Sequence, residues 1–315
     1  MHARRRFTDF LLRFAAALCV VALVLVVYMG VARPFMLHWG ATPSEIARAL
    51  PGDELALQPS FDATRAITID APPEQIWPWV VQIGFGRAGF YGYDILENIA
   101  SPTGLRSATT ILPALQNPLP GEPLPLSAAG GLVFSTVEPP NVLIWTGPDD
   151  TGGQFLWFLE PTGDGQTRLI SRIRWSHHWT QPGVLAMDMF TEIADHIAVR
   201  EVLLGVKGRV EGHNPPAWQQ DGEFYGYVAA WLIFVAALVV LLVRPLTRRR
   251  WLLVLATGLL WLIVMYAPGG LWMEWLLTLL SAVLLGIAAR RDHPRADALH
   301  TDPRPTRPRT PRLAQ

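Results

Sequence analysis

Cysteine is nearly absent: the 315 residues hold one, Cys19, set inside an apolar run. A lone thiol excludes an intrachain disulfide framework and a cysteine metal cage. No Gly-x-Ser-x-Gly elbow presents a serine, so with the one thiol inside an apolar helix the commonest covalent nucleophiles are missing. Net charge is absent too, because 26 Lys+Arg balance 26 Asp+Glu, and charge amounts to 17% of the chain against 50% hydrophobic. Such a composition excludes a disordered or nucleic-acid-coating chain. The zero is a sum of opposites. Residues 40–222 carry 10 basic and 20 acidic side chains, while the remainder carries 16 basic and 6 acidic. A middle portion near −10 is unsuited to phosphate backbones, so no nucleic-acid partner is expected.

What is abundant is long apolar sequence. Phe14 to Ala32, Phe224 to Val243, Trp251 to Ala267 and Leu271 to Ala289 are each long enough for a helix that crosses a bilayer, which needs about 20 apolar residues and at least about 17. Arginines precede the first run (Arg4, Arg5, Arg6, Arg13), separate the second from the third (Arg244, Arg248, Arg249, Arg250) and follow the fourth (Arg290, Arg291, Arg295). Pro268-Gly269-Gly270, between the third and fourth, has none. With four spans all three basic segments share one face, which the positive-inside rule makes cytoplasmic. The division expected is a membrane anchor over 1–32, an exported domain with its linker over 33–222, three spans over 223–289 and a disordered Arg/Pro-rich tail over 290–315. A cleaved signal peptide ending at Gly30-Val31-Ala32 is the competing reading of the first run, although its apolar stretch exceeds the usual roughly 7 to 15 residues. Both readings export the middle.

Within the middle, Thr64 to Asp70 alternates as a strand with one buried face. Pro72-Pro73-Glu74 opens a helix running through Ile76, Trp77, Val80 and Val81 to about Ile83, and a second helix is expected over Tyr91 to Ile99. From Gly131 the pattern turns to hairpins: Leu132 to Val137 with Val142 to Thr146, then Phe155 to Glu160 with Thr167 to His177. In the last strand Leu169, Ser171, Ile173, Trp175 and His177 share the inward face, which leaves Arg172 and Arg174 toward solvent. A long helix, Gly183 to Val210, carries one apolar stripe through Ala186, Met189, Phe190, Ile193, Ile197 and Leu204, with Arg200 near its centre.

Strand, two helices, antiparallel strands and a closing helix make an α+β unit in which a curved sheet grips a helix. The stretches Ala66-Ile67-Thr68-Ile69-Asp70-Ala71-Pro72-Pro73-Glu74-Gln75-Ile76-Trp77-Pro78-Trp79-Val80-Val81-Gln82-Ile83-Gly84, Gly89-Phe90-Tyr91-Gly92-Tyr93-Asp94-Ile95-Leu96-Glu97-Asn98 and Leu203-Leu204-Gly205-Val206-Lys207 resemble the START-like (SRPBCC) superfamily of polyketide cyclase/dehydrase-like and lipid-transport proteins, in a bacterial membrane-linked branch. The resemblance spans about residues 60–212 and implies a helix-grip fold around a cavity; fold alone does not assign activity.

Aromatic side chains supply the candidate site. Trp77, Tyr91, Tyr93, Trp145, Trp157 and Trp175, with His177, Met189, Ile193 and Arg200, are the expected lining of a pocket for a small apolar or amphipathic ligand of lipid or isoprenoid class, its polar groups acting as anchors. Tyr93, His177 and Arg200 are the catalytic candidates if the domain is instead a cyclase- or dehydrase-type enzyme, and a non-catalytic scaffold for a membrane partner is the third reading. No cofactor is expected. Gly84-Phe85-Gly86-Arg87-Ala88-Gly89 matches a dinucleotide fingerprint but follows a helix rather than a strand, so it reads as an interhelical loop. No metal is expected either: His177 and His178 point to opposite faces, and Glu192 with His196 reads as a helical surface pair. Glu274, between Trp272 and Trp275, reads as an interfacial residue beside an aromatic belt.

Overall fold

The computed structural model describes residues 2–95, 98, 104–128, 130–148, 153–175, 182–266 and 270–290, without the side chains of 2, 3 and 182–191. His177, His178 and the tail beyond residue 290 lie outside the described residues, and the expected Tyr91–Ile99 helix lies only partly within them. Four helices are long and apolar enough to cross a membrane. The first is continuous from Arg4 to Leu37: α1 (His2–Val27) passes through a π-helical turn, Tyr28–Ala32, into α2 (Arg33–Leu37). Pro34 accounts for the irregularity, since it lacks an N–H and crowds the carbonyl four residues back, which widens the ladder ahead of it.

A six-stranded antiparallel sheet follows, formed by β1 (Phe61–Ile69), β2 (Pro123–Ser127), β3 (Gly130–Glu138), β4 (Val142–Thr146), β5 (Gln154–Pro161) and β6 (Thr167–Trp175) in the order β1-β6-β5-β4-β3-β2. The β3–β4 and β5–β6 pairs are the expected hairpins, and β1 returns beside β6 with Phe61 opposite Trp175 and Ile69 opposite Thr167. The inner face meets α4 (Pro73–Val81) and the C-terminal half of α5 (Pro182–Glu211), giving an α+β arrangement consistent with a helix grip. Gly84 and Gly89 bridge each other directly after α4, closing the loop that superficially resembled a nucleotide fingerprint.

The outer face is covered as well, contrary to the expectation that Arg172 and Arg174 face water. Residues 38–58 fold back across it through α3 (Pro43–Ala47), whose start is fixed by a reciprocal cap: the Glu45 amide donates to Thr42 Oγ1 at 3.2 Å and the Thr42 amide to Glu45 Oε2 at 2.7 Å. Arg172 is buried beneath this segment, donating to the carbonyls of Glu45 (2.6 Å), Ile46 (3.1 Å) and Arg48 (3.0 Å) and to Asp53 (2.7 Å). Its neighbour Arg174 donates to the Asp53 carbonyl at 3.0 Å. An arginine in a strand tolerates burial when its donors are saturated.

α5 departs from expectation in a second way: it has two apolar faces. Val199, Val202, Leu203 and Val206 join the core of the sheet, while Ile197 and, partly, Ile193 pack among the apolar helices. Of the stripe read from the sequence, Ile193 and Ile197 are turned toward the apolar helices, α1, α6 (Ala217–Val243), α7 (Arg248–Tyr266) and α8 (Gly270–Ala289), whereas Leu204 is exposed and the side chains of Ala186, Met189 and Phe190 lie outside the described ones. Glu192 and His196 do not form a surface pair. Glu192 accepts a bidentate contact from Arg33 at 2.6 and 2.8 Å, and His196 is fully buried with Nδ1 3.0 Å from the Met36 carbonyl. The α+β domain and the apolar helices thus share α5 as a common wall.

Candidate functional site

The ten residues expected to line one pocket fall into separate places. Trp77, Tyr91, Trp145 and Trp157 are buried in the core between sheet and helices, with Trp175 packed partly against it. Trp145 lies 5.6 Å from Trp157 and 5.0 Å from Phe155, edge to face. Tyr93, Ile193 and Arg200 lie instead at the seam with the apolar helices. His177 is outside the described residues, and Met189 belongs to the part of α5 without described side chains.

The seam is where chemistry concentrates. Tyr227, on α6, accepts from Arg200 Nη2 at 2.8 Å and from the Tyr93 hydroxyl at 3.2 Å, and donates to Glu274 Oε1 on α8 at 3.1 Å. One phenol oxygen has one proton and two acceptor sites, so these three bonds saturate it. Glu201, next along α5, accepts from Arg200 Nη2 at 3.2 Å. Arg200, Glu201, Tyr93, Tyr227 and Glu274 are all buried, so the charges stand in a low-dielectric setting where each partner matters. Burial opposes the charge of Arg200, but the oxygens of Tyr227, Glu201 and Tyr93 more than offset it and hold its pKa above the ordinary arginine value. Burial raises the carboxyl of Glu201 despite the pull of Arg200, and raises the Tyr93 hydroxyl well above its usual range.

A cavity of about 420 Å³ opens beside this cluster. Its walls are α5, the start of α6 and the start of α8, contributing Arg200, Glu201, Lys207, Glu223 and Glu274 among others. That volume falls in the small-molecule range of roughly 300–1,000 Å³. Two residues of its lining carry an orphan atom turned away from solvent: Arg200 Nη1 and Glu274 Oε2 are buried without a protein partner. Lys207 is already engaged, donating to Glu211 at 2.6 Å and to the Thr68 carbonyl at 2.7 Å. Among the described residues no three His, Cys, Asp or Glu side chains gather as a metal site.

The loop carrying Tyr91 and Tyr93 reaches the seam because α5 lets it approach. A side chain on Gly205 would place Cβ 2.2 Å from the Tyr91 carbonyl oxygen, and that same oxygen accepts from Gln220 Nε2 at 3.1 Å. Tyr91 itself holds a left-handed backbone, φ 59°, with Arg209 stacked over its ring at 4.1 Å. Gly205→Ala is expected to destabilise the full chain by about 1–3 kcal/mol, as overpacking against backbone does. Thermal unfolding in detergent micelles checks this, and an unchanged midpoint would show that the contact is dispensable.

The sequence marks Tyr93 and Arg200 as candidates, whereas Tyr227, inside an apolar run, and Glu201, beside Arg200, carry no local signal that sets them apart. Glu274 is buried against Tyr227 rather than simply resting at an interface. No family model and no curated protein match the chain. Among solved structures, the chain is similar to the Polyketide_cyc-like protein Cgl2372 from Corynebacterium glutamicum, at 16% identity over 48% of this chain and 91% of that one, with a TM-score of 0.31. It is similar to the self-sacrificing resistance protein CalC from Micromonospora echinospora at 11% identity, over 49% of this chain and 96% of that one, TM-score 0.30. A third structure, the KanY protein, is 17% identical over 48% of this chain and 97% of its own, TM-score 0.30. The likeness extends over about half of this chain, and the account of the fold stands on strand order and packing.

Proposed function

We propose that this chain is an integral membrane protein in which a START-like helix-grip domain, held outside the cytoplasm, binds a small apolar or amphipathic ligand at the membrane surface. The observation that carries the reading is the seam cavity, which is bounded on one side by the sheet domain's long helix and on the other by the first turns of two apolar helices. Trp218 and Trp272, both strongly exposed, lie at these same helix starts, at the level where tryptophan marks a membrane interface. Below them the outer surfaces of α6 and α8 are apolar throughout, with Trp231, Leu232, Val239, Leu276 and Leu279 exposed, as suits lipid rather than water. The arginines at the opposite helix ends support a cytoplasmic location for that side.

A topology test and a ligand test are both required. Glu138→Cys, on the exposed β3–β4 turn, is expected to react with a membrane-impermeant maleimide in intact cells, whereas Cys19 lies in the apolar helix. Labelling only after permeabilisation would reverse the orientation. Native mass spectrometry of the purified full chain is expected to show a co-purifying apolar molecule, and consistent recovery of the bare chain would remove the ligand reading. The Tyr93–Tyr227–Glu274 hydroxyl chain beside Arg200 favours a second reading, acid–base catalysis on such a ligand. Conversion of the co-purified molecule by the unmodified protein, lost in Tyr93→Phe, would establish it.

A further inference from the structure

The seam cavity has a charge pattern specific enough to select a head group. Its lining holds two cations, Arg200 and Lys207, against four carboxyls, Glu201, Glu211, Glu223 and Glu274. Lys207 is paired with Glu211 and Arg200 with Glu201, so Glu223 and Glu274 have no basic side chain of the lining paired with them. Both stand on the apolar helices and face the cavity from one side. A negatively charged head is therefore disfavoured as a whole, and a cation is favoured near Glu274. The two orphan atoms refine this. Glu274 Oε2 asks for a donor and Arg200 Nη1 asks for an acceptor, and their parent groups are bonded to the same Tyr227 hydroxyl, which sets them side by side.

We propose that the cavity takes the head of a zwitterionic amphiphile bearing a primary ammonium close to an anionic oxygen. As the head enters, the Glu274 and Arg200 side chains turn their orphan atoms toward the cavity, so that the ammonium donates to Glu274 and the anionic oxygen accepts from Arg200 Nη1; the apolar chain leaves past Gly270 onto the lipid-facing surface of α8, where Met273, Leu276 and Leu280 are exposed. A quaternary ammonium has no N–H to give Glu274, and a head carrying net negative charge meets the surplus carboxyls. The proposal rests on the membrane ligand-binding reading above and adds the head-group chemistry.

The test uses the full chain in detergent micelles with three lipids of identical acyl chains: phosphatidylethanolamine, phosphatidylcholine and phosphatidylglycerol. Native mass spectrometry is expected to show the ethanolamine lipid retained about tenfold or more over the other two, the effect of one charge-assisted hydrogen bond. Glu274→Gln is expected to erase most of that preference. Soluble phosphoethanolamine gives a readout independent of any variant: competition with the bound lipid supports the head-group assignment. Its binding as tightly as the lipid would make a water-soluble aminophosphate the ligand of the same site. Equal retention of all three lipids overturns the head-group assignment and leaves the ligand-binding reading standing. Retention of none also overturns the head-group assignment, while the ligand-binding reading is decided separately by whether the purified chain carries a co-purifying apolar molecule.

Discussion

Replacing Arg65 with methionine is expected to destabilise the protein by about 3–5 kcal/mol, the usual cost of breaking a buried ion pair from one side. Arg65 lies on the inner face of the edge strand β1 and is only 1% exposed. Its guanidinium reaches two other elements, donating from Nε to the Met36 carbonyl at 2.9 Å and from Nη1 to Asp195 at 2.7 Å. The first bond satisfies a carbonyl near the end of α2 that has no partner within the helix, and the second joins the strand to α5. Burial already raises the carboxyl of Asp195, with Arg65 pulling the other way, so deleting the arginine leaves an acid poorly disposed to ionise. Methionine fills similar volume without a charge, which isolates the electrostatic loss from a cavity. Thermal unfolding of the full chain in detergent at neutral pH measures the cost. Adding Asp195→Asn should recover part of it, with a coupling of about 0.5–3 kcal/mol between the two positions. Strict additivity would show that the pair is not a connection between strand and helix.

That connection explains why parts of the architecture were readable from the residues and parts were not. A strand with one buried face announces itself by a period of two, and β3 to β6 did so because their turns carry Pro, Gly and Asn between apolar alternations. The apolar helices were equally legible, since length and the absence of charge are local properties. The cover over the outer sheet face was not, because residues 38–58 have no long periodic run and the arginines beneath them alternate just as solvent-facing arginines would. Only the acceptors, three carbonyls and Asp53 for Arg172, reveal that its face is closed. α5 misled for a related reason: a helix wedged between two apolar bodies has two stripes, and the one containing Ile193, Ile197 and Arg200 belongs to the seam. Arg200 looked out of place within an apolar stripe because its partners are brought from distant sequence. Tyr227 comes from inside an apolar run, where a single hydroxyl passes as an interfacial aromatic, and Glu274 comes from another. Their convergence is tertiary information.

The same seam should make stability fall as the solution is acidified, through His196. Its Nδ1 faces the Met36 carbonyl, which can only accept, so Nδ1 carries the proton of the neutral ring. Nε2 is buried without a protein partner, and the Tyr266 ring lies 5.5 Å away. Burial, reinforced by the positive charges of Arg65 and Arg200 and only partly relieved by the Met36 carbonyl, pushes the imidazole pKa down to about 2. In the unfolded chain a histidine titrates near about 6.5. Between those values the unfolded state binds a proton that the folded state refuses, so stability declines as pH drops below about 6.5 and recovers as it rises. The slope is about 1.4 kcal/mol per pH unit, or roughly 3 kcal/mol by pH 4. His196→Asn offers an amide N–H near the position of Nδ1–H but does not titrate. The variant is expected to be somewhat less stable at pH 7 and to lose less on acidification. Against the opposing effect of burial, Arg168 and Lys207 hold the carboxyls of Glu45 and Glu211 below their ordinary range; these are common to both proteins and cancel in the difference between their curves. Unfolding midpoints measured in detergent from pH 7 to pH 4 should therefore converge or cross. Parallel curves would mean that His196 accepts its proton in the folded protein, with its Nε2 reaching a partner that the closed contact between α2, α5 and α7 does not supply.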